Sequence, residues 1–237
     1  MSSTPQFFSE SIVELSNLSV TATDAQVAAA AQVSLDHIPD EGTDVKRLIN
    51  ALVRLRHGSP FEHNTFTFRV TVPIFVAREW QRHRIGSFNE VSGRYTKLKG
   101  HFYIPDPVMR GGLTNAGTSM VPKREHLDAS SEVYLTHQMR ASSIRSWELY
   151  EAMIDNGVAN EVARMILPLN IFTSFYWTVN ARSLMNFLSL RVHDEDARDI
   201  SYPQYEIEQP AKVVEEYFSE AMPFTHAAFV ANGRVAP

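Results

Sequence analysis

Arg82-His83-Arg84-Ile85-Gly86-Ser87-Phe88-Asn89-Glu90-Val91-Ser92-Gly93-Arg94-Tyr95 is the stretch of this chain richest in groups able to grip an anion. Guanidinium groups hold phosphate oxygens in bidentate pairs, and the hydroxyls and amides of Ser87, Asn89 and Ser92 can complete the oxygen shell. Glu90, set among these cations, can accept from a ligand N–H or a ribose hydroxyl. The competing reading is a solvated basic helix end tied by salt bridges, the usual fate of surface charge.

A second cluster is His57-Gly58-Ser59-Pro60-Phe61-Glu62-His63. Two histidines and a glutamate suggest a metal at first sight. The spacing matches no familiar ligand set, however, and Pro60 interrupts any helix that would align them. A turn presenting Ser59 and a histidine to a ligand fits better; the alternative is that Glu62 and His63 form a buried, mutually satisfied pair.

The third cluster is Asn180-Ala181-Arg182-Ser183-Leu184-Met185-Asn186-Phe187-Leu188-Ser189-Leu190-Arg191. Arg182 and Asn186, four apart, share a helix face. The N–H groups at the start of that helix add to an anion platform. Arg191 falls on the stripe of Leu184 and Leu188, so it points into partly buried space and seeks an anion or a carbonyl-rich ring. Pairing with Asp194 or Glu195 is the equally open alternative.

Other chemistries lack their residues. Cysteine is absent, which removes disulfides, thiolate metal sites and cysteine nucleophiles. No Gly-x-Ser-x-Gly elbow, Walker loop or Gly-x-Gly-x-x-Gly fingerprint occurs. The net charge is −5, unlike a general polyanion binder. Yet between Arg78 and Lys99 six bases face two acids, whereas between Arg191 and Glu220 nine acids face three bases. A short basic segment in an acidic protein suits small anions.

These residues need elements to hold them. Residues 24–36 read as a helix behind Thr23 and Asp24, and 44–57 as a second, carrying Val45, Leu48, Ile49, Leu52 and Leu55 and stopped by Gly58. Strict alternation over Thr65–Val72 predicts a strand with Phe66, Phe68, Val70 and Val72 on one face. Pro73 then opens a helix from Ile74 to Arg84, so that Arg82, His83 and Arg84 end it, with a polar loop from Gly86 onward. Residues 105–122 read as a surface loop. A long helix over 126–155 places Leu135, Met139, Tyr150 and Met153 on one side and stops at Asn156-Gly157. A short helix over 159–167, a buried strand over 171–179 and helices over 181–191 and 210–221 complete the chain. Helices and strands mix without βαβ alternation, so the fold class is α+β in a single domain, residues 1–237.

Together the three clusters resemble the flavin-dependent thymidylate synthases (the ThyX family). That family's signature is Arg-His-Arg, seven or eight residues, then Ser; here Arg82-His83-Arg84 precedes Ser92 by seven. A His-x-(Ser/Thr)-x-x-Glu-His turn, a strand, the signature, a middle arginine, Asn-x-Arg and a last arginine follow in the family's order. The resemblance runs from about residue 10 to 191.

The resemblance implies an α+β homotetramer with a mixed or antiparallel twisted sheet flanked by helices and active sites at subunit interfaces. It implies that dUMP is methylated to dTMP, with 5,10-methylenetetrahydrofolate as carbon donor and NADPH-reduced FAD as hydride source. Ser59, Arg82, His83, Arg84, Glu90, Asn180, Arg182 and Asn186 stand where the family contacts FAD. Glu79, Trp80, Gln81, Arg82, Glu90, Val91, Ser92, Gly93, Arg94, Arg164 and Arg191 stand where it contacts dUMP. Arg191 matches the catalytic arginine thought to favour an N3-ionised uracil, as a fixed cation would. His57 is a gate candidate, and Ser92, without an adjacent base, binds rather than attacks. Glu79 departs from a frequent glutamine, and Val192–Pro203 is longer than in compact members.

Two other classes remain: a single-stranded nucleic-acid module stacking on Trp80, Phe88 and Tyr95, and a non-catalytic nucleotide sensor. The N-terminus lacks a secretory pattern and no run suits a membrane helix, so a cytoplasmic enzyme with no metal, membrane or nucleic-acid partner is expected.

Overall fold

Alternating burial makes β3, Thr65–Pro73, the spine of the sheet: Phe66, Phe68, Val70 and Val72 are each at most 1% exposed. The computed structural model describes residues 3–16, 22–33, 44–118 and 120–237. They form two compact units, one of Met1–Ile12, Thr71–Trp80 and Glu90–Phe175, the other of Val13–Val70, Gln81–Asn89 and Tyr176–Pro237.

Strands β2 (Ile12–Leu15), β3, β8 (Phe172–Asn180) and β4 (Ser87–Glu90) lie side by side in that order, and the second unit holds residues 13–15, 65–70, 176–180 and 87–89 of them. Thr67 and Thr178 join hydroxyls across β3 and β8 at 2.9 Å. On the opposite face Phe66 meets Phe218 edge-on and Phe68 meets Trp177. Helices α1 (Asp24–Gln32), α2 (Val45–Arg54), α7 (Ala181–Arg191), α8 (Tyr205–Ala221) and α9 (Pro223–Ala231) belong to this unit.

In α1 the Thr23 hydroxyl caps Gln26 N–H, as expected, but Asp24 does something else. It is buried and accepts from Phe224 N, Thr225 N and Thr225 Oγ, tying α1 to the start of α9. The expected residues 34–36 of the first helix lie outside the described ones. α2 ends at Leu55 and Arg56, the latter with φ of 64°, before Gly58 is reached, and its buried residues are Ile49 and Val53. α8 begins at Tyr205, upstream of the expected 210, and holds Pro210 inside it. α9 follows it directly, a helix that the sequence pattern did not predict.

The first unit is organised around Phe102, Trp147, Tyr150, Ala163 and Ile171. β1 (Gln6–Phe8) runs parallel to β5 (His101–Tyr103), and Phe102 bridges Ile171. The stretch read as a loop contains α4 (Pro107–Arg110) and a small antiparallel hairpin of β6 (Thr114–Asn115) and β7 (Arg124–Glu125).

α5 spans Ala129–Asp155, capped by Asp128 and ended at Asn156, with Gly157 at φ 80°. Its buried side is Glu132, Ser143, Trp147, Tyr150 and Glu151. Leu135 and Met139, expected inside, are exposed. Two buried carboxylates explain the rotation: Glu132 accepts from Leu127 N and meets His126, while Glu151 accepts from Ser3 and Lys97. α3 (Ile74–Trp80) and α6 (Asn160–Ala163), extended by a 3-10 turn at Arg164–Ile166, complete the unit.

Candidate active site

β3 runs through Pro73 and α3 opens at Ile74 as expected, but it stops at Trp80. Arg82, His83 and Arg84 therefore lie in the turn that leads to β4, not on a helix end, and the expected polar loop at Ser87–Glu90 is that strand. Close packing forces this. A Cβ on Gly86 would sit 2.9 Å from Thr178 O and from Trp177 Nε1, so the chain meets β8 where only glycine fits. Phe88 then stacks on Trp177. Arg82 and Arg84 point out, exposed and without an ion pair among the described residues.

His83, between them, is half-buried and turned inward. Its ring meets Phe187 edge-on at 4.9 Å, and its Nε2 lies 3.0 Å from Arg191 Nε at the end of α7. Arginine Nε always carries a proton, so Nε2 is the acceptor and the ring proton resides on Nδ1. Burial first, and the Arg191 cation second, lower the His83 pKa from 6.5 to about 4. Of the two acids beyond α7, Asp194 accepts from Asp196 N and lies 3.5 Å from Arg234 Nη1, and Glu195 meets His193.

The Ser59 turn and the start of α7 meet through Arg182. Its Nε donates to Pro237 O and its Nη1 to Glu62 Oε1, both at 2.6 Å. Glu62 and His63 are thus exposed and not a buried pair. Gly58 lies so close that a Cβ there would be 2.5 Å from Arg182 Nε and 2.8 Å from Pro237 O. Asn180 spends its side-chain oxygen as the N-cap of α7, accepting from Ser183 N at 2.8 Å. Asn186 is exposed, and its side chain has no hydrogen-bond partner among the described residues. His57 is exposed.

The first unit holds most of the residues expected at the nucleotide. Glu90 Oε1 accepts from Thr173 at 2.6 Å, and Val91 N donates to Ser174 O. Ser92 turns the chain, its carbonyl accepting from Tyr95 N and Thr96 N and its hydroxyl from Arg94 N. Gly93 is buried against Leu98. Arg94 Nε donates to Glu161 Oε2 at 2.7 Å, while Arg164 is exposed without an ion pair among the described residues. Trp80 is wholly buried against Phe175, and Glu79 adjoins it on α3. Gln81 opens the turn of the second unit and is exposed.

Of the expected flavin contacts, Ser59, Arg82, His83, Arg84, Asn180, Arg182 and Asn186 fall in the second unit and Glu90 in the first. Sequence reasoning missed Glu161, Thr173 and Pro237 as partners. Only Glu161 carries a local signal, three residues before Arg164. Among the described residues no three His, Asp or Glu side chains gather in a metal-like group.

One turn, pinned by Gly86, carries exposed Arg82 and Arg84 without an ion pair among the described residues and turns His83 onto Arg191. The chain belongs to the Thy1 family, the thymidylate synthase complementing proteins, whose family model matches residues 17–224. It is 47% identical to a flavin-dependent thymidylate synthase of Tropheryma whipplei strain TW08/27, covering 98% of each chain. It is 45% identical to one from Streptomyces avermitilis, over 98% of this chain and 96% of that one. Among solved structures, the UMP/dUMP methylase PolB from Streptomyces cacaoi bound with 5-Br UMP superposes with a TM-score of 0.89 at 39% identity, over 98% of this chain and 99% of that one. The same enzyme bound with 5-Br dUMP gives 0.88.

Proposed function

We propose that this chain is a flavin-dependent thymidylate synthase that methylates dUMP to dTMP, taking the carbon from 5,10-methylenetetrahydrofolate and the hydride from NADPH by way of FAD. The supporting observation is the pair Arg82 and Arg84, exposed and without an ion pair among the described residues, in a turn pinned by Gly86 on Trp177 and Thr178 and flanking a histidine that contacts Arg191. Two guanidiniums two residues apart in one fixed turn suit bidentate contact with phosphate oxygens.

The donor set fits FAD. Arg82 and Arg84 suit its two phosphates, Arg182 and Asn186 share one helix face, and Ser59 adds an exposed hydroxyl from a turn packed on Arg182. His83, Asn180 and Glu90 complete the proposed flavin contacts. Bound FAD would supply the hydride chemistry that none of the twenty side chains provides. Glu79, Trp80, Gln81, Arg82, the Glu90–Arg94 segment, Arg164 and Arg191 are the proposed nucleotide contacts. Arg191 acts on the uracil: a fixed cation lowers the free energy of negative charge developing on the ring. We further infer a homotetramer with active sites at subunit interfaces, working in the cytoplasm.

Purified protein should be yellow, release FAD on heating, and form dTMP only when dUMP, methylenetetrahydrofolate and NADPH are all supplied. Colourless protein that stays inactive with added FAD would end this reading. Because the structural neighbour is named for both UMP and dUMP, UMP belongs in the same assay. Methylation of UMP at a comparable rate would widen the substrate to both uridylates.

A further inference from the structure

We propose that Tyr150 on α5 is a positioning residue for the nucleotide: its hydroxyl seats Leu98, and Leu98 backs Gly93 within residues 90–94. This rests on the reading of that segment as a dUMP contact. The carrying observation is a pair of contacts that Leu98 makes inside one compact unit. Its N–H donates to Tyr150 Oη at 3.0 Å, and a Cβ on Gly93 would lie only 3.0 Å from Leu98 Cδ1.

Residues 91–100 form neither helix nor strand, so no ladder of main-chain bonds fixes their path. A backbone of that kind keeps one shape where its polar groups find partners on neighbouring elements. At its start Val91 N donates to Ser174 O on β8. A turn follows in which Ser92 accepts from the N–H groups of Arg94, Tyr95 and Thr96. Leu98 N then ties the chain to another element, through a side chain 52 residues further along.

The Tyr150 end of this link is rigid. Tyr150 is wholly buried and packs on Trp147 at 5.0 Å, in the same core cluster that Leu98 joins. A buried tyrosine seeks a partner for its hydroxyl, and here the partner is main chain. Its neighbours on α5 brace the same stretch. Buried Glu151 accepts from Lys97 Nζ at 3.0 Å, and a Cβ on Gly100 would sit 2.8 Å from Trp147 Cε2. Gly93 is the receiving end. It is buried, and with no side chain of its own it meets Leu98 through its main chain. A shift of Leu98 therefore becomes a shift of Ser92 and Arg94, the proposed nucleotide contacts on either side.

The test uses the full-length flavin-loaded protein with Tyr150→Phe, Leu98→Ala, Leu98→Met and the double variant Tyr150→Phe with Leu98→Ala. Ile154→Val, which removes a methylene elsewhere in the same cluster, is the control for loosened packing. Flavin per subunit is read by absorbance, dUMP affinity by calorimetry, and kcat and KM by dTMP formation. Expected for Tyr150→Phe is unchanged flavin with Kd and KM for dUMP higher by about tenfold, the scale of one hydrogen bond. Its kcat at saturating dUMP stays within about twofold, the pattern of lost ground-state binding. Leu98→Ala, which uncovers Gly93, does the same, and Leu98→Met, of similar volume, recovers most of the loss. The double variant is no weaker than the worse single one, because the two residues act in series. Ile154→Val leaves dUMP affinity unchanged.

The proposal is overturned if Tyr150→Phe binds dUMP within about twofold of the unaltered protein, or if the two losses multiply. It is equally overturned if Ile154→Val weakens dUMP binding as much as Tyr150→Phe does, or if excess FAD restores what Tyr150→Phe loses. Should Tyr150→Phe fail to fold, the Leu98 pair decides: equal dUMP affinity in Leu98→Ala and Leu98→Met removes the backing of Gly93, and the proposal with it. An unaltered protein that binds no dUMP would sink the reading of residues 90–94 as well. A silent Tyr150 series beside firm dUMP binding by the unaltered protein would leave that reading standing.

Discussion

Arg182 Nη1 stands 2.6 Å from Glu62 Oε1, and both side chains are nearly half exposed, at 42% and 45%. The pair joins the turn after α2 to the first turn of α7, yet at that exposure it adds little to stability. Its interest is competition: a ligand phosphate reaching Arg182 must displace or share with a carboxylate already there.

Glu62→Gln should therefore change folding stability by no more than about 1 kcal/mol, as exposed ion pairs do. Flavin binding should tighten, because the resident anion is gone. Arg182→Ala should weaken it. Fluorescence titration of the flavin-free protein reads both, and equal affinity in all three proteins would remove Arg182 from the proposed flavin contacts.

The His83 imidazole should titrate near 4, not 6.5. Arg191→Ala should raise that midpoint only part of the way, because burial is the larger cause. The sign for stability follows. With the folded pKa depressed, the unfolded chain takes up a proton as pH falls below 6.5 while the folded one does not, so stability drops between about 6.5 and 4. NMR of the imidazole against pH checks the midpoint; full titration near 6.5 would contradict the buried, acceptor-only ring.

Asn180 was expected at the flavin, but its side chain caps α7. Asn180→Asp keeps a capping oxygen and should leave stability nearly unchanged, whereas Asn180→Ala should lose about 1 kcal/mol. Chemical denaturation measures this. If Asn180→Ala unfolds normally yet loses flavin, the residue works at the ligand rather than on the helix.

Glu215 accepts from Arg234 through both oxygens, at 2.7 and 2.8 Å, and from His226 at 2.9 Å. Burial alone would raise its pKa, but the bonds from His226 and Arg234 outweigh that and hold it at about 2. A depressed carboxylate contributes stability present above its unfolded value of 4.5 and lost as pH falls toward 2. Glu215→Gln leaves Arg234, which is 5% exposed, with only its longer 3.5 Å contact to Asp194, and should destabilise by up to about 3 kcal/mol, the effect of breaking a buried pair. It should also flatten the acid limb of a melting-temperature profile.

The elements that announce themselves by period were legible: β3 by alternation, α7 by its Leu184–Leu188 stripe, α5 by length and its Asn156-Gly157 stop; the Asn180 cap of α7 was not. The end of α3 was not, because nothing between Trp80 and Arg84 breaks a helix locally; the break comes from Gly86 packing on Trp177 and Thr178, far along the chain. The buried side of α5 was misread for a similar reason. Two carboxylates turn inward there because Ser3, Lys97 and Leu127 supply their partners. The site residues were legible as types in order. Their partners were not, since His83 meets Arg191 and Arg94 meets Glu161 across long stretches of sequence that no spacing rule spans.

Gly58 admits no side chain because Arg182 and the main-chain oxygen of Pro237 crowd it. A side chain at position 58 would displace Arg182, a proposed flavin contact, and jostle the turn that carries Ser59, so even Gly58→Ala should register in flavin content.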